Sequence, residues 1–424
     1  MDVYDKIADL ALLWRRAGEI FPRFADVACN WEEAFYQFLP RLMRADDRQT
    51  HLLFAEFLNL LGDGHTDYQF PRAFLREYGL APFSLGFCAD AYFLNGVSPE
   101  YGAFLGAAVE TLDGRPFPEI LNEAAKYSYH VGSFLPEYRL NALLPLLLRG
   151  QTHEMITSKG SFSFRLLPER PELLLARKGR AFEIRQPENG ILYVNLPDFL
   201  HADTAAKVRA ALDETTPDGL ILDIRDNIGG MTLFGAQVAE LLIPGAFSGC
   251  RKQTRIMEGV DLAGASQILL ESPEEQAREI AAGLYTRAQM EDARKKMAGS
   301  YTSSYLDHFG KEGQQALFSG PCAVLTSRRT VSAAEDFLAM LRCNHRAAVI
   351  GAPTCGTTGT PMLLKLRCGG SARICSVGYQ LLDGTAFLGL GIQPDIPIEP
   401  TPEDILTGKD PVLDAAVSQL AGKR

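Results

Sequence analysis

The sequence predicts a multidomain α/β protein, and three changes of texture along its 424 residues carry that reading. Residues 1–62 repeat apolar side chains at helical spacing. Residues from about 76 to 185 alternate short apolar runs with Gly, Pro and Asn, which is strand-and-turn composition. From 186 onward strands and helices alternate, and that order implies parallel strands joined by right-handed crossovers. The division we expect is a helical segment over 1–75, a β module over 76–185 and an α/β core over 186–424. The core carries a polar, helical insertion at about 244–320. Two or three domains suit this length.

In the first segment Ile7, Leu10, Leu13 and Trp14 mark one helix, and Trp31, Phe35, Phe38 and Leu39 a second. His51 to Leu61 forms a third, ended by Gly62-Asp63-Gly64. In the β module Pro82–Phe87, Ala91–Leu94, Gly106–Leu112 and Phe162–Leu167 read as strands. Asp113-Gly114 is a turn, and one helix is expected near Pro118–Tyr127. In the core Ile191–Asn195, Gly219–Arg225, Cys322–Thr326 and Ala347–Gly351 read as strands. Helices follow at Asp203–Leu212, with Asp203 as N-cap, at Thr232–Leu242 and at Ser332–Arg342. Pro273–Met297 is charged and helical, a solvated face.

Composition narrows the function. Hydrophobic residues make up 46%, enough for large cores. The net charge is -10 with no long basic run, which argues against nucleic acid as a partner. No run of about 18 apolar residues appears, so no membrane span is expected. The N-terminus lacks a basic start followed by an apolar run, and no CxxC pair occurs among eight cysteines. A cytoplasmic protein with reduced thiols is the expectation. The histidines show no metal-binding spacing, so no metal is expected.

Four segments carry the chemistry: Leu61-Gly-Asp-Gly-His-Thr66, Asp223-Ile-Arg-Asp-Asn-Ile-Gly-Gly230, Thr326-Ser-Arg-Arg-Thr-Val-Ser-Ala-Ala-Glu335 and Asp383 to Asp395. Ser332 follows a strand and opens a helix, where the positive end of the helix dipole favours an oxyanion. The Ala333 amide is one of the free N–H groups of that helix start. Gly229-Gly230 lets the backbone approach a substrate and turn its amides outward. Asp223 and Arg225 read as a buried ion pair or loop brace.

In order, spacing and wording these segments resemble the tail-specific, or C-terminal processing, serine peptidases, with the catalytic core of tricorn protease among them. The resemblance covers most of the chain and implies a helical start, a PDZ-like β module and a crotonase/ClpP-like α/β core. It makes Ser332 the nucleophile and gives the oxyanion hole to Gly229 or Gly230 with Ala333, Gly229 being preferred. Many relatives place a lysine base 25 residues after the serine; here that position is Thr357 (332 + 25 = 357). The tricorn-like branch uses a histidine instead, and His65 matches it as general base. That branch orients its histidine with a serine and a glutamate, whose positions here are Gly64 and Leu388. Asp63, Asp67 and Glu335 are the candidate substitutes. Leu85-Gly86-Phe87, within Ser84–Phe87, resembles the carboxylate-binding loop of PDZ domains, which capture peptide C-termini by strand addition.

The function this implies is hydrolysis of peptide bonds in unfolded proteins or peptides, without cofactor, with oligomers allowed. The rival is a weakly active or non-enzymatic binding protein for peptides or apolar ligands on the same scaffold. An acyl-CoA enzyme of the crotonase type is a third, weaker expectation.

Overall fold

The computed structural model describes residues 1–177, 179, 181–186, 190–255, 269, 272–282, 286–297 and 302–421. The chain forms two compact units, and neither is continuous in sequence. One comprises Met1–Gln69, Arg251–Tyr305 and Gly359–Tyr379; the other comprises Phe70–Cys250, Leu306–Thr358 and Gln380–Arg424. The three consecutive segments read from the sequence do not coincide with them.

In the first unit the three expected helices run Val3–Ile20, Trp31–Arg44 and Asp47–Asn59. Asp2, Asn30 and Asp46 cap their N-termini, Asp46 through a capping box with Gln49. Their apolar stripes meet through Leu10, Leu13, Phe38, Phe54 and Phe57, and Trp31 stacks on Phe57 at 4.5 Å between ring centres. The helical run ends at Gly62, whose φ of 59° is the left-handed turn expected of glycine there.

Strand Asp67–Gln69 then pairs antiparallel with Ser371–Cys375, which pairs with Pro361–Lys365. The Asp67 carboxylate meets the Arg373 guanidinium across this pairing, at 2.8 Å from Nε. Asp9 accepts the amides of Arg367 and Cys368, both at 2.9 Å. These distant partners recruit residues 359–379 to the N-terminal helices, and no local pattern announces them. Of the charged stretch Pro273–Met297, Pro273–Ala281 and Arg287–Met297 are helical, and residues 283–285 lie outside the described residues.

The second unit is built on a six-stranded sheet. Its order is Ile396–Pro397, Ala348–Gly351, Cys322–Thr326, Gly219–Asp223, Ile191–Asn195 and Glu183–Arg185. All neighbours are parallel except Glu183–Arg185, which is antiparallel. The four strands expected from their apolar runs lie side by side at its centre. Alternate residues serve opposite faces. Helix Pro411–Ala421 covers Ile191, Tyr193, Ile221, Leu325 and Ile350, while Leu192, Val194, Leu222 and Val324 are buried on the other face. Helix Thr204–Thr215 starts after Asp203, but that carboxylate pairs with Lys207 at 2.9 Å instead of capping.

The β module belongs to the same unit. Phe83–Cys88 and Ala91–Val97 form a hairpin, and Val109–Leu112 joins Arg115–Pro116 and His153–Thr157. Asp113 and Gly114 make the expected turn with φ of 52° and 73°. The sequence pattern misses a helix at Glu137–Leu147. Its apolar residues occupy every side, and Pro136 and Pro145 punctuate it, so no amphipathic period is legible. Among the described residues no helix is long and apolar enough to cross a membrane.

Candidate active site

The sequence places Ser332 between a buried strand and a helix, and the backbone there is unusual. Strand Cys322–Thr326 leads through a short loop to helix Ala333–Cys343. Ser332, at the junction, has φ 62° and ψ -128°. A non-glycine residue in that region carries strain of about 1–3 kcal/mol and needs its surroundings to hold it. The strained strand-to-helix turn is the geometry that thrusts a nucleophile out of the backbone. An ordinary capping serine is extended and bonds back to the helix amides; Ser332 makes no such bond.

Its backbone is fixed on both sides. The Ser332 amide donates to the Thr357 carbonyl at 2.9 Å, and the Ser332 carbonyl accepts from Glu335 at 2.7 Å and Asp336 at 3.1 Å. The Ala333 amide donates to no acceptor among the described residues.

The Asp-x-Arg-x-Asn-x-Gly-Gly segment supplies the opposing wall. Asp223 is fully buried at a strand end, accepts from Tyr193 Oη at 2.7 Å and clamps Arg225. Arg225 forks on its other side onto Asp410, at 2.6 and 2.8 Å. The expected ion pair is thus a triad, and its two carboxylates hold the Arg225 pKa well above its ordinary value despite burial. Asn227, fully buried, donates to the Leu196 carbonyl at 2.9 Å and accepts the Val331 amide on its own carbonyl at 3.0 Å. One asparagine therefore ties the glycine loop to the serine loop.

Gly229 and Gly230 have φ of 92° and 136°. A methyl group on Gly229 would stand 2.6 Å from Ser332 Cβ and 2.9 Å from the Val331 carbonyl oxygen. Glycine is required here so that the loop can lie against the serine. The Gly229 amide donates to Asn227 Oδ1 at 2.8 Å. The preferred oxyanion donor from the sequence is therefore already committed, whereas the Gly230 amide donates to no acceptor among the described residues.

Glu335 does not serve as a free acid. Its buried carboxylate accepts from Thr354 Oγ1 at 2.5 Å and from the amides of Gly356 and Thr357, both at 2.8 Å. Burial pushes its pKa up to about 7, against the pull of these three donors. Glu335 shapes the loop whose Thr357 carbonyl holds Ser332. The end of the Asp383–Asp395 segment, Gly391-Ile-Gln-Pro-Asp395, braces the same loop: Thr354 Oγ1 accepts the Ile392 amide at 2.7 Å, and Gly391 lies against the Thr354 carbonyl. Leu388, where the tricorn-like branch has its glutamate, is buried.

His65 belongs to the other unit. It is buried in the turn after the third helix, and Asp63 builds that turn. The Asp63 carboxylate accepts the His65 amide at 3.0 Å and Thr66 Oγ1 at 2.8 Å, and faces Arg23 at 3.3 Å. Asp63 thus positions the backbone of His65, and Asp67 is engaged by Arg373. The segment just before strand Pro361–Lys365 leaves no room for bulk beside the histidine: a methyl on Gly359 would meet Cys375 Sγ at 2.3 Å and His65 Cβ at 3.4 Å.

Leu85, Gly86 and Phe87 lie in a strand rather than in a loop. Their outward edge is occupied. Asn141 Oδ1 accepts the Leu85 amide at 2.9 Å, Asn141 Nδ2 donates to the Leu85 carbonyl at 3.2 Å, and Glu137 accepts the Phe87 amide at 3.2 Å. Two side chains of helix Glu137–Leu147 thus stand where an added strand would bond. Asn141 and Glu137 carry no mark of this role in the sequence, because the helix itself is not legible there. Asn227 was within a recognised motif, yet its bonds run to residues far along the chain.

The family model for peptidase family S41 matches residues 190–398. A search of curated proteins finds no match. Mature CPAF complexed with lactacystin has a similar fold, with a TM-score of 0.70 at 14% identity, covering 100% of this chain and 99% of that one. A putative peptidase from Parabacteroides merdae gives 0.55 at 17% identity, over 99% of this chain and 97% of that one. The photosystem II D1 C-terminal processing protease gives 0.50 at 17% identity, over 93% and 92%. At these identities the structures speak for the fold, and the family match over the α/β core speaks for the chemistry. The chain belongs to peptidase family S41, the tail-specific and C-terminal processing proteases, and is a serine-type peptidase.

Proposed function

We propose that this peptidase cleaves unfolded proteins or peptides with Ser332 as nucleophile and His65 as general base. The observation that carries the nucleophile is the left-handed backbone of Ser332 at a helix start, backed by a glycine that tolerates no side chain. In the reaction the Ser332 hydroxyl adds to the scissile carbonyl carbon while its proton passes to His65. The carbonyl oxygen becomes an oxyanion, and the Gly230 and Ala333 amides hold it. His65 then protonates the leaving amine as the C–N bond breaks, leaving an acyl-enzyme that water hydrolyses by the reverse roles.

His65 is favoured over a lysine because the family's lysine position is Thr357. Asp63 supports the base through its backbone, and we assign no acid to its ring. Eight free thiols suit a reducing compartment, so we place the enzyme in the cytoplasm. Activity on a casein-like substrate tests the reading. Ser332→Ala should lower it on the order of 10³-fold or more at unchanged melting temperature, and wild-type turnover in that variant would overturn it.

A further inference from the structure

The second unit contains a cavity of about 270 Å³ outside the Ser332 region. Its walls come from the end of strand Phe83–Cys88, the segment Ala176–Arg177, the loops after strands Gly219–Asp223 and Cys322–Thr326, and the turn Gly408–Asp410. Ligands of open α/β sheets bind beyond the carboxyl ends of the strands, where two of these loops lie. Five cationic side chains line the cavity, Arg177, Arg225, Arg328, Arg329 and Lys409, against three carboxylates, Asp226, Glu399 and Asp410.

The carboxylates are already engaged. Asp410 holds Arg225 at 2.6 Å, Asp226 holds Arg329 at 3.0 Å, and Glu399 accepts the Ala89 amide at 3.0 Å. That leaves Arg177, Arg328 and Lys409. Arg177 Nη2 is buried without a hydrogen-bond acceptor among the described residues, and its nearest carboxylate, Glu137, stands 3.7 Å away. Arg328 Nε is likewise buried without an acceptor, and neither Arg328 nor Lys409 is in an ion pair among the described residues. Burial pulls the Arg177 pKa below its ordinary value, which marks a desolvated charge with too little compensation. A buried donor left unmatched costs stability, and proteins keep such groups where a ligand completes them.

We propose that this cavity is an anion site in which Arg177, Arg328 and Lys409 bind the phosphate or carboxylate group of a small molecule. Guanidinium forks suit both oxyanions, and the volume admits one such group with a short organic remainder. Arg328 stands four residues before Ser332 (332 − 328 = 4) on a loop pinned by Ser327, whose hydroxyl donates to the Arg225 carbonyl. An occupied site would therefore stiffen the approach to the nucleophile. The assignment is independent of the catalytic reading.

The test is calorimetric titration of inorganic phosphate into the full chain, at constant ionic strength made up with chloride. Saturable one-site binding is expected, weakened about tenfold or more by Arg177→Gln and severalfold by Arg328→Gln. In chloride alone Arg177→Gln should melt close to wild type, because the side chain it replaces has a buried Nη2 without a hydrogen-bond acceptor among the described residues and only a 3.7 Å approach to Glu137. If Arg177→Gln does not fold, Arg328→Gln carries the test. Displacement of phosphate by a pentapeptide with a free C-terminus, and not by its amide, would identify a peptide tail as the source of the anion. Failure of both peptides would identify a free anion. Absence of saturable binding, or wild-type affinity in normally folded variants, would overturn the site.

Discussion

The Ser332 amide donates to the Thr357 carbonyl at 2.9 Å, so a residue 25 positions further on (332 + 25 = 357) supplies a backbone anchor to Ser332. That bond, the helix start and the Gly229 contact together hold Ser332 in a conformation that serine seldom adopts alone. The site is therefore sensitive to changes that never touch the hydroxyl.

Gly229→Ala should be among the most damaging small substitutions. The new methyl would meet Ser332 Cβ at 2.6 Å and the Ala333 amide nitrogen at 3.0 Å, at a φ of 92° that alanine resists. We expect a stability loss of about 1–3 kcal/mol and a fall in kcat of about 10²-fold or more, from displacement of Ser332. A melting curve and a peptide-hydrolysis assay on one preparation read both. A fully active variant would show that the contact is not needed.

Glu335 predicts a pH signature in stability. Burial raises its folded pKa to about 7 from an ordinary 4.5. Between those values the folded chain retains a proton that the unfolded chain has released. This contribution is fully present below pH 4.5 and is lost as pH rises through 7. Across the interval it amounts to about 3 kcal/mol at most. Glu335→Gln also turns a donor toward the Thr357 amide, so it should be less stable and slower throughout. Melting temperatures from pH 4.5 to 8 should fall in wild type relative to the variant; parallel curves would contradict the assignment.

Arg225→Met leaves Asp223, fully buried, without its counter-ion and also releases Asp410. Breaking a buried pair in this way costs about 3–5 kcal/mol. Asp410→Asn keeps the Asp223 clamp and should cost less. Urea unfolding of both variants orders them, and a reversed order would refute the triad as described.

A histidine base fixes the pH–rate profile. With His65 as base, kcat/KM should fall on the acid side, where the imidazole is protonated, and level off once it is neutral. His65→Ala should remove nearly all turnover, whereas Lys365→Ala, altering a strand residue, should not. A rise displaced to alkaline pH that survives in His65→Ala would point to another base.

Much of the core was legible because its strands are unbroken apolar runs. Ile191–Asn195 and Cys322–Thr326 match their observed limits for that reason. Ser332 was legible as a serine between strand and helix, but its positive φ leaves no mark in composition. Gly229 and Gly230 were read as a pair, and their division of labour turns on the side chain of Asn227, a tertiary bond. Glu335 was read as a candidate acid because sequence does not show that loop 354–357 already takes both its oxygens. Helix Glu137–Leu147 escaped because a helix apolar all round has no period, and with it went the bracket that Asn141 and Glu137 place on Leu85 and Phe87.

The central claim is that Ser332 is an activated nucleophile, and covalent labelling tests it most directly. The folded chain is incubated with a fluorophosphonate, its intact mass is measured, and the adduct is mapped by peptide sequencing. The account predicts one adduct per chain, located on Ser332, lost in Ser332→Ala and strongly slowed in His65→Ala. A folded chain that takes no label, or takes it at another residue, would contradict it.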